Sequence, residues 1–177
     1  MPRGRSSKKH PVLVRNVMSP IVATVSPDTR LDEAAEVFAS RGLLGAPVVD
    51  ASGRVLGALT EADLVLFLRR EFRGLPRLRF VAWRTRVRNM LGFLERRNPV
   101  LASQIRSRLR ATKTSEVLDR NRPIVGPGDE FGPISRYMFD TKTTLVPVIE
   151  DGRVVGTVGY DSVARVVYQG LAEAMSG

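Results

Sequence analysis

The sequence predicts an α+β protein made of two copies of one strand–helix–strand–strand–helix unit, packed as a pseudo-symmetric pair. An offset of 100 residues aligns the two copies, so that Val17 meets Val117 and Pro47 meets Pro147. Short apolar runs typical of buried strands alternate in each copy with the three- and four-residue apolar spacing of helices. Each copy spans nearly 60 residues. This is too few to bury a good core alone, so we expect the copies to pack together.

Both copies are predicted to contain the same elements in the same order. In the first copy an amphipathic helix has its apolar face on Leu31, Ala34 and Phe38 and ends at Gly42, a residue that favours helix termination. Two strands joined by a tight glycine turn follow, and a second helix closes the unit. The predicted strands are 21–25, 46–49 and 55–59 in the first copy and 124–125, 146–149 and 154–158 in the second.

The composition excludes several classes of function. The 177 residues contain no cysteine, so neither a disulfide framework nor a thiolate metal cluster can form. The single histidine, His10, lies in a polar tail, which leaves no material for a histidine zinc site or a Ser-His-Asp triad. No apolar run reaches the roughly 18 residues of a membrane span, and no signal peptide is recognisable. We therefore expect a cytoplasmic protein that is not an enzyme.

The net charge of +10 is concentrated in two segments. Residues 1–11 carry +4 and residues 71–113 carry +10, whereas the rest of the chain carries −4. The predicted organisation is therefore a basic flexible tail (1–11), a first repeat (12–70), a basic insertion (71–113), a second repeat (114–171) and a C-terminal tail (172–177).

Three motifs of the repeats resemble those of CBS domains, and the tandem arrangement resembles a Bateman module. They are Val-Met-Ser-Pro at 17–20, Ala-Pro-Val-Val at 46–49, and Gly-Ala-Leu-Thr-Glu-Ala-Asp at 57–63. The resemblance covers about 12–70 and 114–171. It implies a non-catalytic regulatory fold whose clefts bind AMP, ADP, ATP or S-adenosylmethionine. It also implies pairing of the modules into a homodimer.

Thr60 and Asp63 are the main candidates for ligand binding. Their spacing is that of a capping box, in which two side chains satisfy free N–H groups at the start of a helix. The family resemblance implies instead that Asp63 accepts hydrogen bonds from ribose hydroxyls and that Thr60 contacts phosphate. By the same resemblance, adenine would lie against the backbone near Val22, Thr24, Ala46 and Pro47.

The second copy departs from this pattern. Gly159 and Ser162 occupy the two aligned positions, and Asp161 is displaced by one residue, which is about 100° around a helix. We therefore expect one good nucleotide site and a degenerate second site at Gly159 and Ser162. Arg122 and Lys142 are available to supply phosphate charge, but the sequence favours a solvated surface position for each.

The insertion is predicted to form a helical hairpin. Apolar residues recur with helical spacing from Phe80 to Leu94, and Asn98 and Pro99 then cap and begin a second helix. The arginines of the insertion have almost no acid nearby in the sequence, and such a cluster repels itself unless an anion lies on it. The favoured partner is RNA, including the ribosome, because arginine–phosphate contacts bind tightly without sequence preference.

The residues predicted to contact the polyanion belong to the insertion and the tail: Arg77, Arg79, Arg84, Arg86, Arg88, Arg96, Arg97, Arg106, Arg108, Arg110, Lys113, Arg3, Arg5, Lys8 and Lys9. DNA, an anionic membrane surface and an acidic protein face remain alternatives for this cluster. The sequence thus predicts a nucleotide-sensing protein that docks on RNA. The alternative is a regulatory subunit that senses a nucleotide and controls a separate enzyme or transporter.

Overall fold

The computed structural model describes residues 11–72, 92, 94–118 and 120–176, with the backbone alone for 169–176. Residues 94–97 are also helical. The named elements are α1 (Leu31–Arg41), β1 (Gly45–Val49), β2 (Val55–Thr60), α2 (Glu61–Glu71), α3 (Pro99–Ala111), α4 (Thr114–Val117), α5 (Phe131–Thr141), β3 (Leu145–Glu150), β4 (Arg153–Gly159) and α6 (Tyr160–Ser176).

Two antiparallel hairpins form the strand layer of the fold. β1 pairs with β2 so that Gly45 faces Thr60, and β3 pairs with β4 so that Leu145 faces Gly159. Each hairpin is preceded by one helix and followed by another, as the repeat predicts. The sequence-based prediction of an α+β fold with two β-hairpins and helices is confirmed.

The opening strand of each repeat is shorter than predicted. In the first repeat Val25 alone forms a parallel bridge, to Val48, and in the second Val125 forms the same bridge to Val148. The predicted strand at 21–25 is therefore confirmed only at Val25, and the one at 124–125 only at Val125. In the first repeat the carbonyl of Val22 accepts a hydrogen bond from the Arg41 side chain, at 2.7 Å, rather than from a neighbouring strand.

The first core lies between the hairpin β1–β2 and helices α1, α2 and α3. Phe38 of α1 and Leu64 of α2 are fully buried, as the apolar spacing predicts. Ile105 of α3 is fully buried in the same cluster, so the second helix of the predicted hairpin packs on the first repeat. The predicted cap of α3 is confirmed, because Asn98 Oδ1 accepts a hydrogen bond from the Leu101 N–H at 3.0 Å.

The segment that precedes each repeat packs on the other repeat. Val14 and Val17, assigned by sequence to the first repeat, are fully buried in the core of the second. The Val14 N–H donates to the carbonyl of Asp129 at 2.9 Å. In the same way, the Thr114 N–H donates to the carbonyl of Thr29 at 2.8 Å. This exchange of segments joins the two repeats, because the second core includes the N-terminal segment and the first core includes residues of α3 and α4.

The C-terminal helix extends past the predicted end of the second repeat. α6 continues through residue 171 to Ser176, so no helix boundary separates the repeat from the predicted tail. Among the described helices, none combines the length and the apolar character needed to cross a membrane. The same residues hold no group of three or more acidic or histidine side chains suited to binding a metal ion.

Candidate functional site: two clefts between the repeats

The capping box predicted for Thr60 and Asp63 is present at the start of α2. The Asp63 N–H donates to Thr60 Oγ1 at 3.4 Å, and the Thr60 N–H donates to Asp63 Oδ2 at 2.8 Å. The Thr60 hydroxyl donates to the same carboxylate oxygen at 2.6 Å. Both residues are buried, with relative exposures of 1% and 9%. The box therefore occupies one oxygen of the Asp63 carboxylate.

Arg122 occupies the other oxygen. Its Nη2 atom donates to Asp63 Oδ1, and its Nη1 atom lies 3.4 Å from the carbonyl of Ala58. The Arg122 side chain is only 11% exposed, so the expected solvated surface position is wrong. A buried carboxylate is costly unless it is paired, which explains why the long Arg122 side chain lies inward against Asp63. We call this region the closed cleft.

An open cavity of about 330 Å³ lies at the other junction of the repeats. Its apolar wall comes from the first repeat, and the second repeat supplies polar groups opposite. We call it the open cleft. The apolar wall comprises Pro20, Val22, Ala23, Leu43, Leu44 and Pro47, and the polar groups belong to Thr144, Thr157, Tyr160 and Asp161.

The six residues predicted for the nucleotide site are not brought together in one cleft. The capping-box pair lies in the closed cleft, whereas Val22 and Pro47 line the open cleft beside the start of α6. Ala46 is fully buried in the first core, since neighbouring side chains on a strand point to opposite faces. Thr24 is exposed and does not line the open cleft. The residues expected to form one nucleotide site are therefore divided between the two clefts, because each cleft is lined by residues of both repeats.

At the end of the second hairpin, Gly159 and Ser162 form a partial version of the capping box. Ser162 is fully buried and accepts a hydrogen bond from the Gly159 N–H at 3.3 Å, so it replaces part of the cap. Asp161 is released from capping. Its Oδ2 atom accepts a hydrogen bond from the hydroxyl of Ser19 at 2.5 Å, and Arg165 lies 3.2 Å from the same oxygen.

Gly159 permits this arrangement. A Cβ atom at Gly159 would lie 2.6 Å from Asp161 Oδ1, so a larger residue would displace the carboxylate. The sequence identified Asp161 as out of register but did not assign it a role. Its contact with Ser19 joins two motifs that are 142 residues apart, which no local spacing indicates.

The predicted polyanion surface is partly neutralised. Four cations at the end of the insertion pair with acids, so the expectation of almost no nearby acid is wrong for them. Two of these acids, Asp28 and Asp32, belong to the first repeat, on which α3 packs, and the other two belong to the insertion itself. The pairs are Arg106 with Glu95, Arg108 with Glu71 at 2.7 Å, Arg110 with Asp32 at 3.3 Å and Lys113 with Asp28 at 2.7 Å.

The hydrogen bond that Lys113 donates to Asp28 raises the pKa of Lys113, so this exposed lysine stays protonated over a wider pH range. Arg96 and Arg97 are exposed at the end of the short helix 94–97. The remaining predicted contacts, Arg77, Arg79, Arg84, Arg86, Arg88, Arg3, Arg5, Lys8 and Lys9, lie outside the described residues.

Comparison with known proteins finds a family match over the first repeat. The family model described as the CBS domain matches residues 14–70. Among curated proteins, an uncharacterized protein of Methanocaldococcus jannaschii is 23% identical over 149 residues, or 82% of this chain. The chain spans 39% of that relative's length and 32% of the length of an uncharacterized protein of Methanopyrus kandleri.

Solved structures share the fold over most of the chain. The CBS domain of a CBS-domain-containing membrane protein from Sphaerobacter thermophilus is 27% identical, with a TM-score of 0.63 and 87% of each chain covered. CBSX2 in complex with AMP is 19% identical, with a TM-score of 0.59 and coverage of 89% of this chain and 96% of CBSX2.

The CBS domain pair of protein MJ0100, in complex with 5′-methylthioadenosine and S-adenosyl-L-methionine, is also similar. It is 19% identical, with a TM-score of 0.58 and coverage of 90% of this chain and 98% of that one. Residues 14–70 of this chain match the CBS domain, and the fold is that of a CBS domain pair.

Proposed function

We propose that this protein is a non-catalytic regulatory CBS pair that senses an adenosine-containing ligand in the open cleft. The observation that carries the proposal is the cavity of about 330 Å³ with an apolar wall from one repeat and polar groups from the other. Its volume lies within the range of small-molecule sites, about 300–1,000 Å³. CBSX2 holds AMP, and the MJ0100 pair holds two other adenosine compounds, on the same fold.

The cavity offers each part of such a ligand a matching surface. Adenine fits against the apolar wall at Val22 and Pro47, and the ribose hydroxyls can donate to Asp161. The Asp161 side chain is 56% exposed, so its carboxylate is accessible from solvent. Because both repeats line the cavity, a bound ligand favours one arrangement of the repeats over others. A partner enzyme or transporter would respond to that change.

Titration calorimetry tests the proposal with AMP, ATP and S-adenosylmethionine as probes. We expect binding of at least one probe by the wild type and at least tenfold weaker binding by Asp161→Asn, which loses the charged acceptor. Asp151→Asn is the matched control, because Asp151 is exposed in the β3–β4 turn away from the cavity. Absence of heat with every probe, or equal weakening by both variants, would contradict the proposal.

Sensing is preferred over RNA docking for a structural reason. The cations of α3 are already paired with acids of the first repeat and its neighbours, which weakens their attraction for phosphate. RNA binding and homodimer formation stay predictions from the sequence. The residues predicted to bind RNA are then mainly those of the tail and of the first part of the insertion.

A further inference from the structure

We propose that the second repeat carries a docking groove for an amphipathic helix of a partner protein. The groove is a cavity of about 310 Å³ between α5, α6 and the segment that begins at Pro11. Its walls are mainly apolar, with Phe131 of α5 and Val163, Val166 and Val167 of α6. It shares no residue with the open cleft, so this proposal does not rest on ligand sensing. We call it the helix groove.

The corresponding surface of the first repeat is covered by α3. The residue of the first repeat that aligns with Val166 is Phe67. The guanidinium carbon of Arg108, on α3, lies 5.9 Å from the centre of the Phe67 ring. Ile105 of α3 is fully buried in the same core cluster as Phe67. Helix α3 therefore lies on the first repeat where the second repeat has the helix groove.

Side-chain exposure reflects this difference. Leu68 is fully buried, whereas the aligned Val167 is 57% exposed beside an apolar cavity, as is typical of a helix face that lacks its partner. On the first repeat, α3 buries Ala102, Ile105 and Leu109, which are spaced by three and four residues along one helix face. The occupant expected for the helix groove is a helix with small and aliphatic side chains at the same spacing.

The segment of this chain that aligns with α3 is the basic tail. The Phe131 N–H donates to the carbonyl of Val12 at 2.8 Å. The aligned hydrogen bond in the first repeat runs from the Leu31 N–H to the carbonyl of Thr112, at 3.0 Å. Val12 therefore takes the place of Thr112, and residues 1–10 align with 101–110 of α3.

The sequence of the tail excludes it as the occupant. The three positions that align with the buried residues of α3 hold Pro2, Arg5 and Lys9. Two of these are cations, and a cation is costly to bury in an apolar groove unless an acid pairs with it. Among the described residues, the groove lining contains one acid, Glu130, which cannot neutralise both.

The described helices of a second copy offer no better match. Outside α6, the large apolar side chains that they expose are single residues, namely Leu66 on α2, Val100 on α3 and Phe139 on α5. On α6, Val167 and Tyr168 are exposed but are neighbours in the sequence, so they lie about 100° apart around the helix. A helix that fills a groove needs several apolar side chains on one face. We therefore assign the groove to a helix of a different protein.

The charge of this partner helix differs from that of α3. Asp32, which pairs with Arg110 of α3, aligns with Gly132 in the helix groove. A Cβ atom at Gly132 would have nothing within 4 Å, so the partner helix can approach there without a basic residue. Glu130, at the start of α5, favours a lysine or arginine at one end of the partner helix.

Binding of a helical probe to the full-length protein tests the proposal. The probe is a fluorescent peptide with the sequence of residues 98–112, kept helical by a covalent side-chain link between positions 103 and 107, which are exposed on α3. Fluorescence anisotropy should show saturable binding with one site per chain, because the protein's own α3 covers the aligned surface of the first repeat. A peptide of equal charge that carries Ile105→Asn should bind at least tenfold more weakly.

Two matched variants of the protein locate the binding site. Val167→Lys should weaken binding of the probe at least tenfold. Leu66→Lys adds the same charge at a similarly exposed position on α2 and should leave the affinity unchanged. Both positions are exposed, so both variants should keep the wild-type unfolding midpoint. Equal weakening by the two variants, or no binding of the probe to the wild type, would overturn the proposal.

Sedimentation equilibrium and AMP titration complete the test. A wild-type dimer that Val167→Lys converts to a monomer would show that a second copy fills the groove, and this would overturn the proposal. A monomer, or a dimer that Val167→Lys leaves intact, supports it. We expect Val167→Lys to bind AMP as the wild type does. Loss of probe binding with AMP binding retained in the wild type would overturn the docking groove and leave the proposed function standing.

Discussion

The two clefts of this protein are built from corresponding parts of the repeats but hold different side chains. Arg122 fills one by pairing with Asp63, and Val22 leaves an opening of about 330 Å³ in the other. Val22 and Arg122 occupy aligned positions of the two repeats, and neither belongs to a hydrophobic core cluster. The same fold therefore holds a buried ion pair at one junction of the repeats and a cavity with an apolar wall at the other.

The helix starts beside the clefts differ in the same way. In the first repeat Asp63 both caps α2 and pairs with Arg122. In the second, Ser162 takes over the cap, and the acid moves to position 161, where it faces the cavity. Because the cap is made by Ser162 in the second repeat, the carboxylate of Asp161 is accessible to a ligand. Three pairs of variants test this comparison, in decreasing order of expected effect, and a fourth compares the turns of the two hairpins.

Arg122→Ala should destabilise the protein far more than Arg165→Ala. Removing Arg122 leaves the buried Asp63 carboxylate without its partner, a loss that typically costs about 3 kcal/mol or more. The Arg165–Asp161 pair is exposed, and pairs of that kind contribute less than about 1 kcal/mol. Urea denaturation measures the free energy of unfolding of both variants. Equal losses of unfolding free energy in the two variants would show that burial does not distinguish the two ion pairs.

Val22→Arg should close the open cleft. The introduced cation can pair with Asp161 across the cavity, so the affinity for AMP at that cleft should fall at least tenfold. Because Val22 is half exposed, we expect the free energy of unfolding to change by less than about 0.5 kcal/mol. Calorimetry and urea denaturation measure the two effects. Val22→Gln is the neutral control of similar length, and an equal loss of affinity there would contradict a charge effect.

Thr60→Ala should cost more than Ser162→Ala. The Thr60 hydroxyl takes part in two hydrogen bonds with Asp63, whereas the Ser162 hydroxyl accepts one at 3.3 Å. Loss of an N-cap side chain typically costs about 0.5–2 kcal/mol, and we expect these variants near the upper and lower ends of that range. Thermal unfolding monitored by circular dichroism compares them. The reverse order would indicate that Ser162 carries the stronger cap.

Asp50→Asn should reduce the loss of folding stability that occurs as the pH falls. A hydrogen bond from the Ser52 hydroxyl, with further N–H donors, lowers the pKa of Asp50 from the ordinary value of 3.8. A carboxyl with a lowered pKa stabilises the fold above its unfolded pKa, and this contribution is lost as the pH falls through the folded pKa. Wild-type stability should therefore fall more than that of Asp50→Asn below a pH of about 4. Asp151→Asn, in the corresponding turn of the second repeat, serves as control.

The elements of the fold were predictable because their signals are local. Gly42 ends α1 in the left-handed region with φ of 70°, where glycine is favoured, and Asn98 caps α3 as its position before Pro99 indicates. The capping box of Thr60 and Asp63 also follows from spacing alone. Each of these features depends on backbone groups within four residues of the side chain that satisfies them.

The candidate site was predictable only in part. Sequence reasoning identified Asp63 and Val22 but placed them in one cleft, and it expected Arg122 at the surface. The Arg122–Asp63 pair joins residues 59 positions apart, and the contact of Ser19 with Asp161 spans 142. Periodicity and motif spacing carry no information about such contacts, which depend on how the two repeats pack.

By itself the sequence determined the repeat, its helices and hairpins and the caps at their ends, since these depend on residues close together in the chain. Tertiary structure decided which repeat each connecting segment completes, which cleft is open and which of the insertion's charges are neutralised. Those outcomes depend on burial, because a carboxylate or a guanidinium removed from water is stable only beside an opposite charge. The partner of Asp63 is therefore determined by the packing of the two repeats, which no single repeat specifies.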